Sequence, residues 1–285
     1  MIPGLDLHIR PAVAADQKQI ASLIYHSPHV HRHLDWRSPL DWVGAAPFLV
    51  AEVGGELLAS LACPPDPRGI CWMRLFAVAP TLPVKETWLV LWQAMCSKLS
   101  GLGGVLVPAI ILQDWLETLM KGSGFSSHQE IVMLERGQAP CGPVELPSGV
   151  TLRGMLPSDL PAVAEVDAAA FDPVWQNSLD TLNRAFPQAI VPTVAVTGGE
   201  VVGYQLSTRN PFGAHLARLA VRPGIQRRGV GQALVVDLIG RLERHHVHHL
   251  TVNTQSDNGT SLALYRRIGF EETGERYPVY QRSFA

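Results

Sequence analysis

Four short segments of this 285-residue chain recur in the same order after a nearly constant interval. Ile9-Arg10-Pro11 followed by Asp16 matches Leu152-Arg153-Gly154 followed by Asp159, at an offset of 143 residues. The other matched pairs, at offsets of 143 to 145, are 50–56 with 194–200, 74–80 with 218–223, and 119–125 with 264–270. A nearly constant interval kept over four matches predicts an internal duplication. The chain is therefore expected to fold as two copies of one plan.

Composition agrees with two packed domains. The sequence is 47% hydrophobic, and its length suits two domains of ordinary size. A segment rich in proline and glycine, residues 137–149, predicts a linker between a domain at 1–136 and a domain at 150–285. The formal charge of −2 excludes the broad phosphate attraction of a general nucleic-acid binder, so an anionic ligand must be held locally.

The cysteines and the N-terminus predict a cytoplasmic protein with no membrane partner. Cys63, Cys71, Cys96 and Cys141 form no CxxC pair, which favours reduced thiols over a zinc ribbon or a disulfide framework. The start of the chain lacks a secretory signal, and the most apolar stretch, 103–112, is too short to cross a bilayer.

The second copy reads as a mixed α/β domain. Strands are expected at 151–155, at 193–196 and 201–208 as a hairpin about Gly198-Gly199, at 216–221 and at 250–254. Helices are expected at 158–171, capped by Ser158, and at 178–186, 230–245 and 258–268, with two short strands at the C-terminus. A mixed sheet flanked by helices follows.

The most informative segment is a strand that runs through a glycine-containing turn into a helix. Gly229 and Gly231 lack Cβ atoms, so a ligand can approach the backbone amides closely. Unpaired amides at a helix N-terminus favour an anion, and Arg227 and Arg228 add positive charge. The spacing fits neither a P-loop nor a dinucleotide-binding fingerprint. Residues 226–232, which we call the anion cradle, are expected to hold a pyrophosphate, although a plain capped helix start stays open as an alternative.

Further motifs make the resemblance specific. Leu219-Ala-Val221, Gln226-x-x-Gly-x-Gly231, Asp257-Asn258 and Leu264-Tyr-x-x-x-Gly-Phe270 together resemble the GCN5-related N-acetyltransferase (GNAT) superfamily. The match covers 151–284, and a fainter one covers 9–136. Ser261 stands where the family usually has alanine. The resemblance implies tandem acyl-CoA N-acyltransferase domains of mixed α/β fold, with the first copy degenerate.

The resemblance also implies a set of site residues. Acetyl-CoA, as co-substrate, is expected to pair its pantetheine arm with the backbone of the 219–221 strand and to lie near Asn258. Its pyrophosphate would bind the cradle; the cofactor-binding residues are then Leu219, Ala220, Val221, Gln226, Arg227, Arg228, Gly229, Val230, Gly231, Gln232 and Asn258. Tyr265 matches the family's general acid for the departing thiolate, with a core aromatic as the alternative.

The catalytic base cannot be assigned from the sequence. His215 and Asp172 are candidates, and the family often uses water chains instead. The first copy lacks the cradle: it has Pro83 in the turn and Met120 where the second copy has Tyr265. Residues 1–136 are therefore expected to be catalytically silent.

Histidines and tryptophans outside these motifs are expected to bind no metal and no ligand cage. His26, His29, His31 and His33 favour a solvated or substrate-side loop. Trp88, Trp92, Trp115 and Trp175 favour core or interface packing, whereas Trp36 and Trp42 are open as lining of an acceptor pocket.

Three functions fit these observations. The first is an enzyme that moves an acetyl or short acyl group from coenzyme A to a primary amine of a small molecule or peptide. The others are an acyl-CoA-sensing module without catalysis, and an acetyltransferase similar to mycothiol synthase. Retention of Tyr265 together with the cradle favours an enzyme, because sensing needs no acid.

Overall fold

A computed structural model describes residues 7–137 and 144–285. Residues 138–143, which include Cys141 and part of the expected linker, lie outside the described residues. The strands in the described part are β1 (His8–Pro11), β2 (His29–Arg32), β3 (Phe48–Val53), β4 (Glu56–Ala62), β5 (Leu75–Val78), β6 (Val105–Ile110), β7 (Ser126–Arg136), β8 (Val150–Gly154), β9 (Ile190–Thr197), β10 (Glu200–Asn210), β11 (Gly213–Val221), β12 (Leu250–Gln255) and β13 (Glu271–Phe284). The helices are α1 (Gln17–His26), α2 (Val84–Ser100), α3 (Asp114–Gly122), α4 (Leu160–Ala170), α5 (Leu179–Ala185), α6 (Val230–Arg244) and α7 (Gly259–Arg267).

The chain divides into two units. Unit 1 runs to His128 and also contains Pro278–Ala285, whereas unit 2 is Gln129–Tyr277. Unit 1 has a five-stranded antiparallel sheet in the order β1-β3-β4-β5-β2, and β6 pairs with the C-terminal part of β13. Its core is rich in aromatic side chains, with Trp88 stacked on Trp92 at 5.1 Å and Phe76 packed edge-on to Trp88.

Unit 2 is built on strands in the order β7-β12-β11-β10-β9-β8. All of these neighbours are antiparallel except β11 and β12, which run parallel. The apolar face of α6, with Leu234, Val235 and Leu238 buried, covers this sheet because its hydrophobic residues recur at helical spacing. The mixed α/β architecture expected from the sequence is confirmed.

A repeated ion pair shows the duplication at atomic level. In unit 1 the guanidinium of Arg10 donates to both carboxylate oxygens of Asp16, at 2.7 and 2.9 Å. In unit 2 Arg153 makes the same fork to Asp159, at 2.7 and 2.8 Å. In both copies the carboxylate also accepts the amide N–H three residues before it, so the same local sequence builds the same turn into a helix.

Part of the last strand of each repeat lies in the unit of the other repeat. Ile131–Arg136 of β7, from the first repeat, pairs with β12, and Val279–Phe284 of β13, from the second repeat, pairs with β6. The units therefore have different bounds from the expected domains at 1–136 and 150–285.

Several local expectations are wrong in detail. Ser158 lies inside a short 3-10 turn, and the N-cap of α4 is Asp159, whose carboxylate accepts from the amide of Leu156. The C-terminus forms the single 14-residue strand β13 instead of two short strands. His31 is buried, not in a solvated loop, and its Nε2 lies 3.1 Å from the carbonyl oxygen of Met73. Among the described residues, no helix combines the length and apolar character needed to cross a membrane.

Candidate active site

Two parallel strands in the middle of unit 2 diverge and leave one strand edge open. β11 and β12 pair only over three residues each, ending at Leu216 opposite Val252. Beyond that point residues 218–221 stay paired with β10 on one side. Their other edge presents backbone N–H and C=O groups that β12 does not reach, so an extended chain can pair with them as an added strand. Leu219, Ala220 and Val221 lie on this edge.

The gap between the strands opens into a cavity of about 120 Å³. Its walls come from β7, the segment after α4, the diverging parts of β11 and β12, and α7 with the residue before it. The lining residues are Ile131, Phe171, Trp175, Leu216, Ala217, Arg218, Leu219, Val252, Asn253, Thr254, Gln255, Asn258, Ser261 and Tyr265.

Tyr265, the residue that the sequence suggests as general acid, is one of the side chains that line this cavity. It is 4% exposed, and burial raises the pKa of its phenol above the ordinary value of about 10. The phenol is therefore protonated at neutral pH and can donate a hydrogen bond or a proton. The ring also packs at 5.5 Å against Phe270 of the hydrophobic core, so the core-packing alternative describes part of its environment.

The anion cradle connects the end of β11 to α6. Gly229 is the N-cap of α6, with a φ of +88° that an L side chain rarely adopts, and the helix has no side-chain cap. The amide of Ala233 makes the first intrahelical bond, to the carbonyl of Gly229 at 2.9 Å. The amides of Val230, Gly231 and Gln232 therefore precede the ladder and are free to bind an anion at the positive end of the helix dipole.

Gly231 tests whether the cradle fits a ligand. Its φ is not in the left-handed region, and an added Cβ would meet only Leu264 at 3.6 Å and Val221 at 3.7 Å, which are ordinary contacts. Glycine in a helix costs about 1 kcal/mol relative to alanine, so nothing within the chain favours it here. A phosphate group requires N–H donors at the start of a helix and nearby positive charge, and the first-turn amides with exposed Arg227 and Arg228 supply both, so the residues present fit a coenzyme A pyrophosphate.

The other cradle residues divide into two roles. Gln226 donates from its side-chain amide to the carbonyl of Val221 at 2.9 Å, so it stabilises the turn between β11 and α6. Arg227 and Arg228 are exposed, and neither forms an ion pair in the described part of the chain. Arg227 has a φ of +60°, an uncommon backbone conformation for a residue with a side chain.

Asn258 lines the cavity and also caps α7, since its side-chain oxygen accepts the amide of Ser261 at 3.0 Å.

Of the two candidate bases, Asp172 is exposed and does not line the cavity. His215 lies beside the cavity, with Nε2 3.2 Å from Oδ1 of Asn253 and Nδ1 2.9 Å from Oγ1 of Thr251. Burial lowers the pKa of His215, so the ring is neutral near pH 7.

Sequence reasoning missed one whole wall of the cavity. Trp175, which was expected to be packing, lines it together with Phe171 and Arg218. The pairing of arginine with aromatic side chains is a usable signal only once the fold is known, because these residues lie more than 40 positions apart. Trp42, open as an acceptor-pocket residue, belongs to the core of unit 1.

Unit 1 differs from unit 2 at the positions that match the cradle and Tyr265. α2 begins after Pro83, which has no N–H, and carries Glu86 in its first turn, where a negative charge opposes anion binding. Thr87 fills the place of Gly231, fully buried, with its hydroxyl donating to the carbonyl of Pro83 at 2.7 Å. Met120 is buried in the core.

Comparison with known proteins gives the class and the family. The family model for the acetyltransferase (GNAT) family matches residues 160–270. The N-alpha-acetyltransferase RimI of Mycobacterium tuberculosis is 33% identical over 142 residues, which are 48% of this chain and 87% of that protein. Mycothiol acetyltransferase of Pseudarthrobacter chlorophenolicus is 33% identical over 140 residues, 44% of this chain and 43% of that protein.

Among solved structures, a tandem GNAT protein from the clavulanic acid biosynthesis pathway covers 98% of both chains with a TM-score of 0.68 and 16% identity, which shows the fold alone. The fold and the matches together define an acetyltransferase. The chain belongs to the acetyltransferase (GNAT) family, with two GNAT-like domains.

Proposed function

We propose that unit 2 transfers an acetyl or short acyl group from coenzyme A to a primary amine, by direct attack of the amine on the thioester. The observation that carries this proposal is the placement of Tyr265 in the gap between β11 and β12, whose free edge leads straight into the anion cradle. A thioester bound along that edge would lie beside the phenol.

The residues divide the work of binding. The amides of Val230, Gly231 and Gln232 hold the pyrophosphate, and Arg227 and Arg228 add charge from outside. The backbone of Leu219, Ala220 and Val221 pairs with the pantetheine arm, and Asn258 lies near it. A backbone N–H of the same strand stabilises the oxyanion that forms when the amine nitrogen adds to the carbonyl carbon.

Tyr265 serves as the general acid. When the C–S bond breaks, the phenol O–H donates its proton to the leaving sulfur, and the phenol regains a proton from solvent. The amine nitrogen loses its own proton during the attack. No carboxylate or histidine side chain lines the cavity among the described residues, so this proton leaves through water.

The acceptor is proposed to be the α-amine of a peptide or protein. This rests on the relative whose printed name is N-alpha-acetyltransferase, because the similarity covers most of that protein. A mycothiol-type acceptor is the second candidate, and the 33% identity to a mycothiol acetyltransferase favours it. Unit 1 is proposed to be catalytically silent, since Glu86 and Thr87 occupy the places of the cradle residues.

The test measures release of free thiol from acetyl-CoA by the full chain. Acceptors are a set of peptides with free N-termini, the same peptides with blocked N-termini, and an amine precursor of mycothiol. Thiol release that requires a free N-terminus supports the proposal, release only with the precursor supports the second acceptor, and acetyl-CoA binding without release supports a sensing module.

The variant Tyr265→Phe then tests the acid. We expect kcat to fall by about 10²–10⁴-fold with the acetyl-CoA dissociation constant unchanged. Tyr277→Phe is the matched control, because this tyrosine lies outside the cavity with its hydroxyl on Glu275. An unchanged kcat in Tyr265→Phe would remove the acid role.

A further inference from the structure

We propose that Arg218, held by Asp167, is a positioning residue that fixes the segment 171–177 as the acceptor-binding wall of the cavity. This inference rests on the proposed amine acetylation. It assigns a role to an ion pair that neither acid catalysis by Tyr265 nor the anion cradle uses.

A β-bulge directs Arg218 to this position. Leu206 of β10 pairs with Arg218, whereas the next residue, Ser207, pairs with Leu216, so Ala217 is an extra residue in β11. Before the bulge, Ala214 and Leu216 pack in the core cluster under α6. An unbroken strand would place Arg218 on that same apolar face, and the extra residue turns its side chain to the other face.

On that face Arg218 meets a fully buried carboxylate. Its Nε and Nη2 donate to Asp167 at 2.7 and 2.8 Å, and Asp167 is 0% exposed. The hydroxyl of Tyr204 and the amide of Asn177, the latter at 2.7 Å, also donate to this carboxylate. Four donors satisfy both oxygens, which is what a buried charge requires to be tolerated.

The same groups hold the segment 171–177 at its start, middle and end. The guanidinium carbon of Arg218 lies 3.5 Å from the centre of the Phe171 ring. Nη2 of Arg218 donates to the carbonyl of Trp175 at 2.6 Å, and Asp167 accepts from Asn177 as described. The segment contains one 3-10 turn, Pro173–Trp175, and Gln176 donates to the carbonyl of Phe171 at 2.9 Å, whereas the bond from Arg218 attaches it to β11.

Two side chains of this segment, Phe171 and Trp175, line the cavity. The indole N–H of Trp175 donates to Gln129 of β7 at 2.8 Å, which fixes the ring against that strand. The edge of β11 and the cradle account for the acyl-CoA side. The wall made by Phe171 and Trp175 is therefore left for the acceptor, and an apolar group next to the reacting amine suits it.

We call the ion pair of Arg218 and Asp167 the clamp. The test uses two variants that disrupt it in different ways. Arg218→Lys keeps the charge but loses the planar fork. The double variant Arg218→Met with Asp167→Leu removes both charges, so that no buried charge is left unpaired. Arg153→Lys is the matched control, because Arg153 makes the same fork to Asp159 in the same unit and does not line the cavity.

We expect both clamp variants to raise KM for the peptide acceptor at least tenfold while the acetyl-CoA dissociation constant stays within twofold, with no change in the control. A KM that stays within twofold of the unaltered chain in both clamp variants would overturn the inference. The inference would also be overturned if the acetyl-CoA dissociation constant rose by the same factor as the acceptor KM, because a general structural role of the ion pair predicts that both change together.

Hydrogen exchange measured by mass spectrometry gives a readout that does not depend on activity. The amide of Asn177 should exchange at least tenfold faster in both clamp variants, with the peptides of β10 unchanged. If the unaltered chain acetylates no acceptor, the proposed function fails, and hydrogen exchange alone tests whether the clamp holds residues 171–177. Unchanged exchange in 171–177 of the clamp variants refutes that role. Faster exchange confined to that segment supports it.

Discussion

Replacing Gly231 with alanine should separate folding from ligand binding. The position lies in the first turn of α6 with an ordinary helical φ, and the new methyl group would make only van der Waals contacts, at 3.6 and 3.7 Å. Alanine is favoured over glycine in a helix by about 0.5–1 kcal/mol, partly because it restricts the unfolded chain. Gly231→Ala should therefore stabilise the protein by that amount.

The same methyl group would lie next to the first-turn amides, which are the proposed donors to the pyrophosphate. We expect the acetyl-CoA dissociation constant to rise at least tenfold, which corresponds to about 1.4 kcal/mol. The two effects have opposite signs, so a loss of binding cannot be a result of unfolding. Isothermal titration with acetyl-CoA and thermal unfolding, with Tm rising by about 1–4 °C, measure them separately.

Alanine variants of two other glycines in this region serve as controls. Gly240 lies in α6 with an ordinary φ and open space around its Cβ position, so Gly240→Ala should stabilise the helix similarly and leave binding unchanged. Gly229→Ala should instead destabilise by about 1–2 kcal/mol, because its φ is +88°. If Gly231→Ala binds acetyl-CoA as tightly as Gly240→Ala does, the reasoning that glycine at 231 leaves room for the pyrophosphate is wrong.

Three further outcomes follow from the structure. Replacing Arg227 and Arg228 together with glutamine should weaken acetyl-CoA binding about tenfold at low salt, and the difference should shrink at 0.5 M salt, because both side chains are exposed; a difference independent of salt would argue against a charge role. Burial lowers the pKa of His31 from 6.5 to about 4, so the unfolded chain binds the proton more readily and stability should fall by about 3 kcal/mol between pH 6.5 and 4. Urea titrations of His31→Gln should show a flatter pH dependence, and an equally steep one would contradict this. Deleting 278–285 should unfold unit 1, because that segment pairs with β6. Tryptophan fluorescence measures this unfolding, and a spectrum unchanged by the deletion would be inconsistent with the pairing.

The sequence predicts the features that depend on neighbouring residues. The fork of Arg153 to Asp159 spans six positions, and the glycines of the cradle act through their own backbone, so both can be inferred from spacing. Arg218 and Asp167 are 51 positions apart, and a single extra residue, Ala217, decides which face Arg218 occupies. No periodicity argument contains that information, which is why the acceptor wall could not be predicted.

The placement of β7 and β13 could not be predicted for a different reason. It also changes the role that the degenerate first copy is expected to have. Duplication gives the two strands equivalent positions in their repeats, so pairing patterns alone do not distinguish exchanged from unexchanged strands. In the structure β7 of the first repeat completes the sheet of unit 2, where Ile131 lines the cavity and Gln129 holds the indole of Trp175. The first repeat has lost its own cradle but supplies part of the wall around Tyr265. It cannot then be removed from the enzyme as a dispensable domain, because the proposed acceptor site is incomplete without its last strand.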